Sequence, residues 1–369
     1  MLQLQKRILQ LAWPIMLSNI TVPLLGLVDT AVLGHLAEVS YLGAVALGGQ
    51  GVTLMLWSFG FLRMGTTSLS AHATGVALSG KQSGGQSNSF RILQNALLLA
   101  LMISLPLMVF AFLTMERIIA LIGGSESIQV LALEYANIRL YATPAVLIQY
   151  VLIGWFIGRG QTKVPLFLLI ASNSLNALLD VVLVYVYGFN SDGVAWATCC
   201  ADYFAAMAGI YWAARTFQKE KLKSSYDFTW PTLLQLKPLI NINQQLFVRT
   251  LCLLSVFIFF TAQGAKQGDL VLAVNAIMLT LLLLISNALD GIAHAAETLV
   301  GQSLGARHYH RLKQSIWLTG ANALMVAVIM VLGFAWQGEN LLALLTNQTD
   351  VLALAIEFSH WLIWLPLIG

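Results

Sequence analysis

The chain has 369 residues, 58% of them hydrophobic and only 9% charged, with 19 Lys+Arg against 16 Asp+Glu. A soluble domain is about 25% charged, so this chain cannot coat a water-facing surface, and its mean hydropathy of +0.79 points to a polytopic helical membrane protein. The net charge of +3 is small and spread over short loops, which excludes a basic nucleic-acid binder.

From the N-terminus, Lys6 and Arg7 precede an apolar run far longer than a signal-peptide core, with no small-residue cleavage site, so the first helix is expected to be retained. Runs long enough to cross a bilayer fall at 8–34, 42–75, 89–114, 128–157, 164–188, 193–215, 238–262, 270–304, 314–336 and 350–369, ten in all. With the N-terminus cytoplasmic, fourteen Lys and Arg lie on inner segments and two, Arg117 and Lys266, on outer loops. That asymmetry predicts a multi-pass membrane protein with its N-terminus cytoplasmic.

Polar groups inside these spans are functional candidates because each is costly there. Span 1 carries Pro14 and Pro23, which free backbone carbonyls and predict a bendable helix, and Asp29 near its outer end. Arg63 in span 2 is placed to snorkel to the cytoplasm. In span 4, Glu134 and Arg139 are five apart, so they are expected to meet other helices. Asn176 and Asp180 share a face of span 5, and Thr198 and Asp202 are four apart near the outer start of span 6. Asp29, Asp180, Thr198 and Asp202 share a depth of roughly 8–12 Å below the outer helix ends at 1.5 Å per residue. Carboxylates placed together with an amide and a hydroxyl suit either a shared proton or an oxygen cage for a hard cation. A second polar site is expected at Asp290 and Glu297, on one face of span 8, with Arg249 of span 7 as counter-ion. Cys199, Cys200 and Cys252 lie in apolar runs with no metal spacing. No HExxH, GxSxG or Walker A pattern occurs, so protease, esterase and ATP-driven pump are set aside and no enzymatic activity is expected.

The stretch Leu42 to Gly75 lies over Leu272 to Gly305 without a gap, at a shift of 230 residues. Six spans return the chain to its starting face, so this is a parallel repeat about an axis along the membrane normal. The domains expected are an N-terminal lobe, 1–215, a cytoplasmic linker, 216–237, and a C-terminal lobe, 238–369, with about four of six helices. A second unit as long as the first would continue roughly 80 residues past Gly369, by the same shift. Asp29 falls on Phe259 under this shift, so the two lobes differ in chemistry. Gly154/Gly158 and Gly301/Gly305 have the spacing of close helix packing.

Six-plus-six parallel helices, with Trp13–Pro14 through Thr21 leading to Leu27–Val28–Asp29–Thr30–Ala31, resemble the multidrug and toxic compound extrusion (MATE) family. Asn173–Ser174–Leu175–Asn176 to Asp180, Gly193 to Thr198, and Ala288–Leu289–Asp290–Gly291 through Glu297 to Arg307 carry the same resemblance. It implies a secondary antiporter of a bacterial-type cytoplasmic (inner) membrane that exports amphipathic organic compounds in exchange for H⁺ or Na⁺, with no other cofactor and no obligate protein partner. By the same resemblance Asp29 is the protonation site, Asn176, Asp180 and Thr198 complete a proton or Na⁺ site, and a bend at Pro14 accompanies coupling. Composition and residue pattern alone leave two alternatives: a flippase for lipid or lipid-linked precursors, and a membrane fragment that does not transport.

Overall fold

Inside a bilayer no water satisfies exposed backbone, so an open apolar chain must close its hydrogen bonds within helices. In the computed structural model every regular element is helical among the described residues, which are 1–34, 39–79, 85–221, 233–345 and 348–368. The side chains of 22–31, and with them Asp29 and Pro23, lie outside the described set.

The elements in order are α1 (Leu2–Gly34), α2 (Val39–Trp57), α3 (Phe61–Leu78), α4 (Gly85–Ile122), α5 (Glu126–Leu140), α6 (Thr143–Gly158) and α7 (Lys163–Val181). They continue with α8 (Ser191–Lys221), α9 (Leu233–Lys266), α10 (Asp269–Gly305), α11 (Tyr309–Leu345), α12 (Thr349–Glu357) and α13 (Ser359–Ile368). One π-helical turn, Val182–Val186, extends α7. Among the described residues seven stretches are long and apolar enough to span a membrane, with α2 and α3 counted as one, or nine if the bent pairs α5–α6 and α12–α13 each make one span. α1 adds a further element of spanning length, 33 residues and about 50 Å.

Three of the long runs are broken, and local chemistry accounts for two of the breaks. The α2–α3 run turns at 57–60, where Phe59 N–H donates to Leu56 O and Gly60 N–H to Trp57 O, tightening the ladder to three-residue steps. α5 and α6 meet at 53°. Pro144, in the first turn of α6, cannot donate to the Leu140 carbonyl, which takes the Thr143 hydroxyl at 2.7 Å instead. The third break, 47° between α12 and α13, has no such explanation. α1 runs as one helix through Pro14.

The expected lobe boundaries cut into helices. α8 continues past 215 to Lys221 because Glu220 is held by Arg159, itself stacked on Trp155 and Phe90. α9 starts at Leu233, with Pro238 inside it, and 222–232 lie outside the described residues.

Helices α2 to α8 pack mainly on one another, and α10 to α13 form a second group. The first group's core centres on Leu62, Phe90, Leu147, Trp155 and Phe156. The second has Val274, Leu281, Leu342, Val351 and Ala355. α9 touches both groups, and α1 lies between them, on α7 to one side and α10 to the other. Ile8, Leu11 and Ala12 of α1 bury against Ile292, Ala295 and Leu299 of α10.

The principal contact between the groups is where α3 crosses α10, and it follows the internal repeat. A Cβ built on Gly75 would lie 2.0 Å from the Gln302 carbonyl oxygen, and one on Gly305 would lie 2.0 Å from that of His72. Gln302 is the repeat counterpart of His72, and Gly305 of Gly75. Ala71 faces Gly301, again its own counterpart, with 2.7 Å between the Ala71 Cβ and a Cβ built on the glycine. The seam is therefore self-complementary in the manner of a twofold interface within one chain, with its axis passing between Ala71 and Gly301. On the other side of α3, Gly154 and Gly158 of α6 admit the Arg63 and Thr67 carbonyls, so both small-residue spacings are close-packing devices.

The seam lies at the end of the molecule that carries Lys6, Arg7, Arg307 and Arg311, referred to below as the inner end.

Candidate functional site

α7 and α8 run side by side, tied by the Ser172 hydroxyl to the Ala201 carbonyl at 3.0 Å. One turn beyond Ser172, Asn176 is 1% exposed, and a turn further Asp180 has no exposed surface. One atom of the Asn176 amide is 3.1 Å from Asp180 Oδ2 and the other 3.1 Å from Thr198 Oγ1. With its nitrogen towards Asp180, the amide donates to the carboxylate, and its oxygen accepts from Thr198. Thr198 Oγ1 is also 2.8 Å from the Val194 carbonyl. Its hydroxyl therefore can donate either to that carbonyl or to the amide.

This set can serve two charge states of Asp180. As a carboxylate it accepts from the Asn176 NH₂. As an acid it donates to the amide oxygen once the amide turns over, which sets the NH₂ towards Thr198 Oγ1 and gives up the bond the amide oxygen accepts from the Thr198 N–H at 3.2 Å. A carboxylate without surface exposure needs such a partner, a proton or a cation. Carboxylate, amide and hydroxyl oxygens are also the hard donors that suit an alkali cation.

α1 closes this region from a third side. Asn173 Nδ2 donates to the Thr21 carbonyl at 3.3 Å, and the Tyr185 hydroxyl donates to the Val32 carbonyl at 3.0 Å. Tyr185 sits on the π-helical turn just beyond Asp180, where the extra residue re-aims the chain. Asn19 Nδ2 donates across to the Asn287 carbonyl at 3.0 Å, so α1 is pinned to α10 as well. Asn19, Asn173 and Tyr185 were not among the expected site residues. The asparagines were legible only as members of motifs, and nothing in the sequence signals the π turn.

Asp202 does not join Asn176, Asp180 and Thr198. Its Oδ2 is 2.8 Å from Arg139 Nη1, and Gln149 Nε2 donates to its Oδ1 at 3.2 Å and to its backbone carbonyl at 3.0 Å. α8 turns Asp202 towards α5 and α6, where the nearby arginine satisfies it. Arg139 thus meets a different helix, as its spacing from Glu134 predicted. The second polar set is not assembled as expected: Glu297 is 3.4 Å from His294 one turn back on α10, and Arg249 is exposed. Among the described residues no ion pair links Arg249 to Asp290 or Glu297. Pro14 is buried in the turn of α1 that packs on α10.

Two helix groups joined by a pseudo-symmetric seam, with Asn176 and Asp180 buried in one of them beside a half-buried Thr198, have the build of a multi-pass membrane transporter. The MatE family matches residues 14–182 and 246–368, and the chain belongs to that family, the MATE transporters. It is 36% identical over 374 residues to DNA damage-inducible protein F of Escherichia coli (strain K12), covering 99% of this chain and 78% of that protein. The probable multidrug resistance protein NorM of Photorhabdus laumondii is 27% identical, covering 95% and 76%. Among solved structures, the "outward-facing conformation of a multidrug resistance MATE family transporter of the MOP superfamily" superposes with a TM-score of 0.80 at 20% identity, over 98% of this chain and 80% of that one, and shows the common fold.

Proposed function

We propose that the protein is a cation-coupled efflux antiporter of the inner membrane, exporting amphipathic organic compounds by alternating access, with H⁺ or Na⁺ handled in the N-terminal lobe. The observation that carries this reading is the arrangement Asp180–Asn176–Thr198, with the carboxyl and amide buried and Asp180 able to be held in either charge state. Asp29 of α1 is assigned as the acid that shares this site. Its helix is held to α7 through Asn173 and Tyr185, so a change of charge there is felt by α1.

The two lobes are in contact at the basic inner end, which on the positive-inside pattern is cytoplasmic. This is the state closed to the cytoplasm. Export requires the seam to part there, and drug and cation must favour different states, since a ligand shifts an equilibrium only by its differential affinity.

The test is efflux of a fluorescent organic cation from inverted vesicles, with H⁺ and Na⁺ gradients imposed separately. Gradient-driven movement that is lost in Asp29→Asn and Asp180→Asn, at unchanged expression, is the expected result. Wild-type efflux in both variants places coupling elsewhere.

A further inference from the structure

A cavity of about 440 Å³ opens at the inner end of the seam, between the start of α1, the end of α3, the end of α10 and the start of α11. Its charged walls are of one sign. Arg7 comes from α1 and Arg311 from α11, with His308 from the turn before α11, and among the described residues no Asp or Glu lines it. Neither arginine has an acidic partner among the described residues. The remaining polar lining includes Gln302, Gln314 and Ser315. Ser315 is 1% exposed, and its hydroxyl has no hydrogen-bond partner, although a buried hydroxyl normally finds one. The first turn of α11, whose N–H groups lack intrahelical acceptors, begins at the same place. Gly160, with a φ of +74°, leaves room for the Arg7 guanidinium, since a Cβ there would lie 2.8 Å from Nη2.

We infer that this cavity binds a phosphate group, taken either from an anionic lipid headgroup or from free phosphate. Two guanidinium forks, an orphan hydroxyl and a helix N-terminus are what a tetrahedral oxyanion requires. Arg7, on α1 and beside Gly160 of the first group, and Arg311, on α11 of the second, both line the cavity, so a bound phosphate ties the inner ends of the two groups together. On the alternating-access reading above, it favours the state closed at the inner end and loses one arginine when the seam parts. That consequence rests on the proposed transport cycle, whereas the binding does not.

The test follows thermal unfolding of the full chain in phosphatidylcholine nanodiscs under three conditions: alone, with phosphatidylglycerol included, and with inorganic phosphate added. A rise in Tm with phosphatidylglycerol alone identifies the headgroup, and a rise with inorganic phosphate identifies the free ion. In either case Arg7→Gln and Arg311→Gln should each raise the half-effective ligand concentration about tenfold. Gln314→Glu, which leaves both arginines in place and puts a carboxylate between them, should remove the shift. Arg117→Gln, at the other end of the molecule, should leave it unchanged. No shift with either ligand overturns the inference, as does a shift that survives all three cavity variants or is lost equally in Arg117→Gln. These readouts involve no efflux, so failure of the transport reading would leave them unaffected.

Discussion

The seam between α3 and α10 is the most quantitative handle on the conformational equilibrium. In Gly75→Ala the new methyl starts 2.0 Å from a backbone oxygen, and ordinary contact begins at 3.4 Å. The helices must part locally by roughly 1.4 Å, because the obstructing atom is main chain and has no rotamer to change. Overpacking of this kind costs about 1–3 kcal/mol, charged to the closed seam and relieved when it opens. At about 1.4 kcal/mol per factor of ten, the inner-open population should rise roughly 5- to 150-fold. Gly305→Ala, its counterpart across the pseudo-twofold axis, should do the same. The readout is maleimide labelling from the inner face of a single cysteine introduced as Ala295→Cys, a fully buried position in the α1–α10 contact, after Cys199, Cys200 and Cys252 are replaced. Gly320→Ala is the control, since nothing lies within 4 Å of a Cβ there. If Gly75→Ala labels no faster than its parent, or if Gly320→Ala labels equally fast, the seam does not govern inner access and this reasoning is wrong.

Three further outcomes follow from the same contacts. Asn176→Leu should reduce coupled efflux nearly as much as Asp180→Asn, while Asn176→Gln should recover part of it, measured in the gradient-driven vesicle assay. Arg139→Gln should cost about 3–5 kcal/mol by leaving the Asp202 charge unpaired in a mostly buried site, and Arg139→Gln/Asp202→Asn should regain most of the loss in a thermal melt. Gly158→Val, whose Cβ would start 2.4 Å from the Thr67 carbonyl, should lower Tm through α3–α6 packing rather than through coupling, so its residual efflux should keep the parent's ion dependence.

Much of this architecture was legible because the bilayer reduces a long problem to a short one: where a chain is apolar for twenty residues, it is helical and it spans. The repeat was legible for a related reason. Gly75 and Gly305 align in sequence because each must admit the other unit's backbone, and a glycine needed for close approach cannot be exchanged without moving two helices. Helix breaks were less visible. Pro144 accounts for the α5–α6 bend, whereas Pro14 lies in a helix that continues through it, because neighbouring helices decide whether a freed carbonyl costs anything. The coupling residues were legible as costly groups in apolar runs, but cost alone does not name a partner. Asp202 has the same credentials as Asp180, at the same expected depth, and only the fold reveals that Arg139 and Gln149 take it out of the cluster.

That division suggests how the lobe separates Asp180 from Asp202. Asp202 has a permanent cation beside one carboxylate oxygen and the Gln149 amide donating to the other, so its charge is answered by fixed groups and need not change during a cycle. Asp180 is met by the Asn176 amide, which carries no net charge and itself meets the Thr198 hydroxyl, and amide and hydroxyl can each reverse their role as donor or acceptor. One acid is therefore built to stay as it is, and the other to accept a change of proton at the cost of one hydrogen bond, from the Thr198 N–H to the Asn176 amide. A switch requires that second property, since a site tuned for a single charge state would resist the change on which coupling depends. If Thr198 serves as the reversible member, Thr198→Ser should retain ion-coupled efflux and Thr198→Val should lose it, although valine preserves the shape. Coupled efflux undiminished in Thr198→Val would mean that the hydroxyl is structural and that the reversal rests on Asn176 alone.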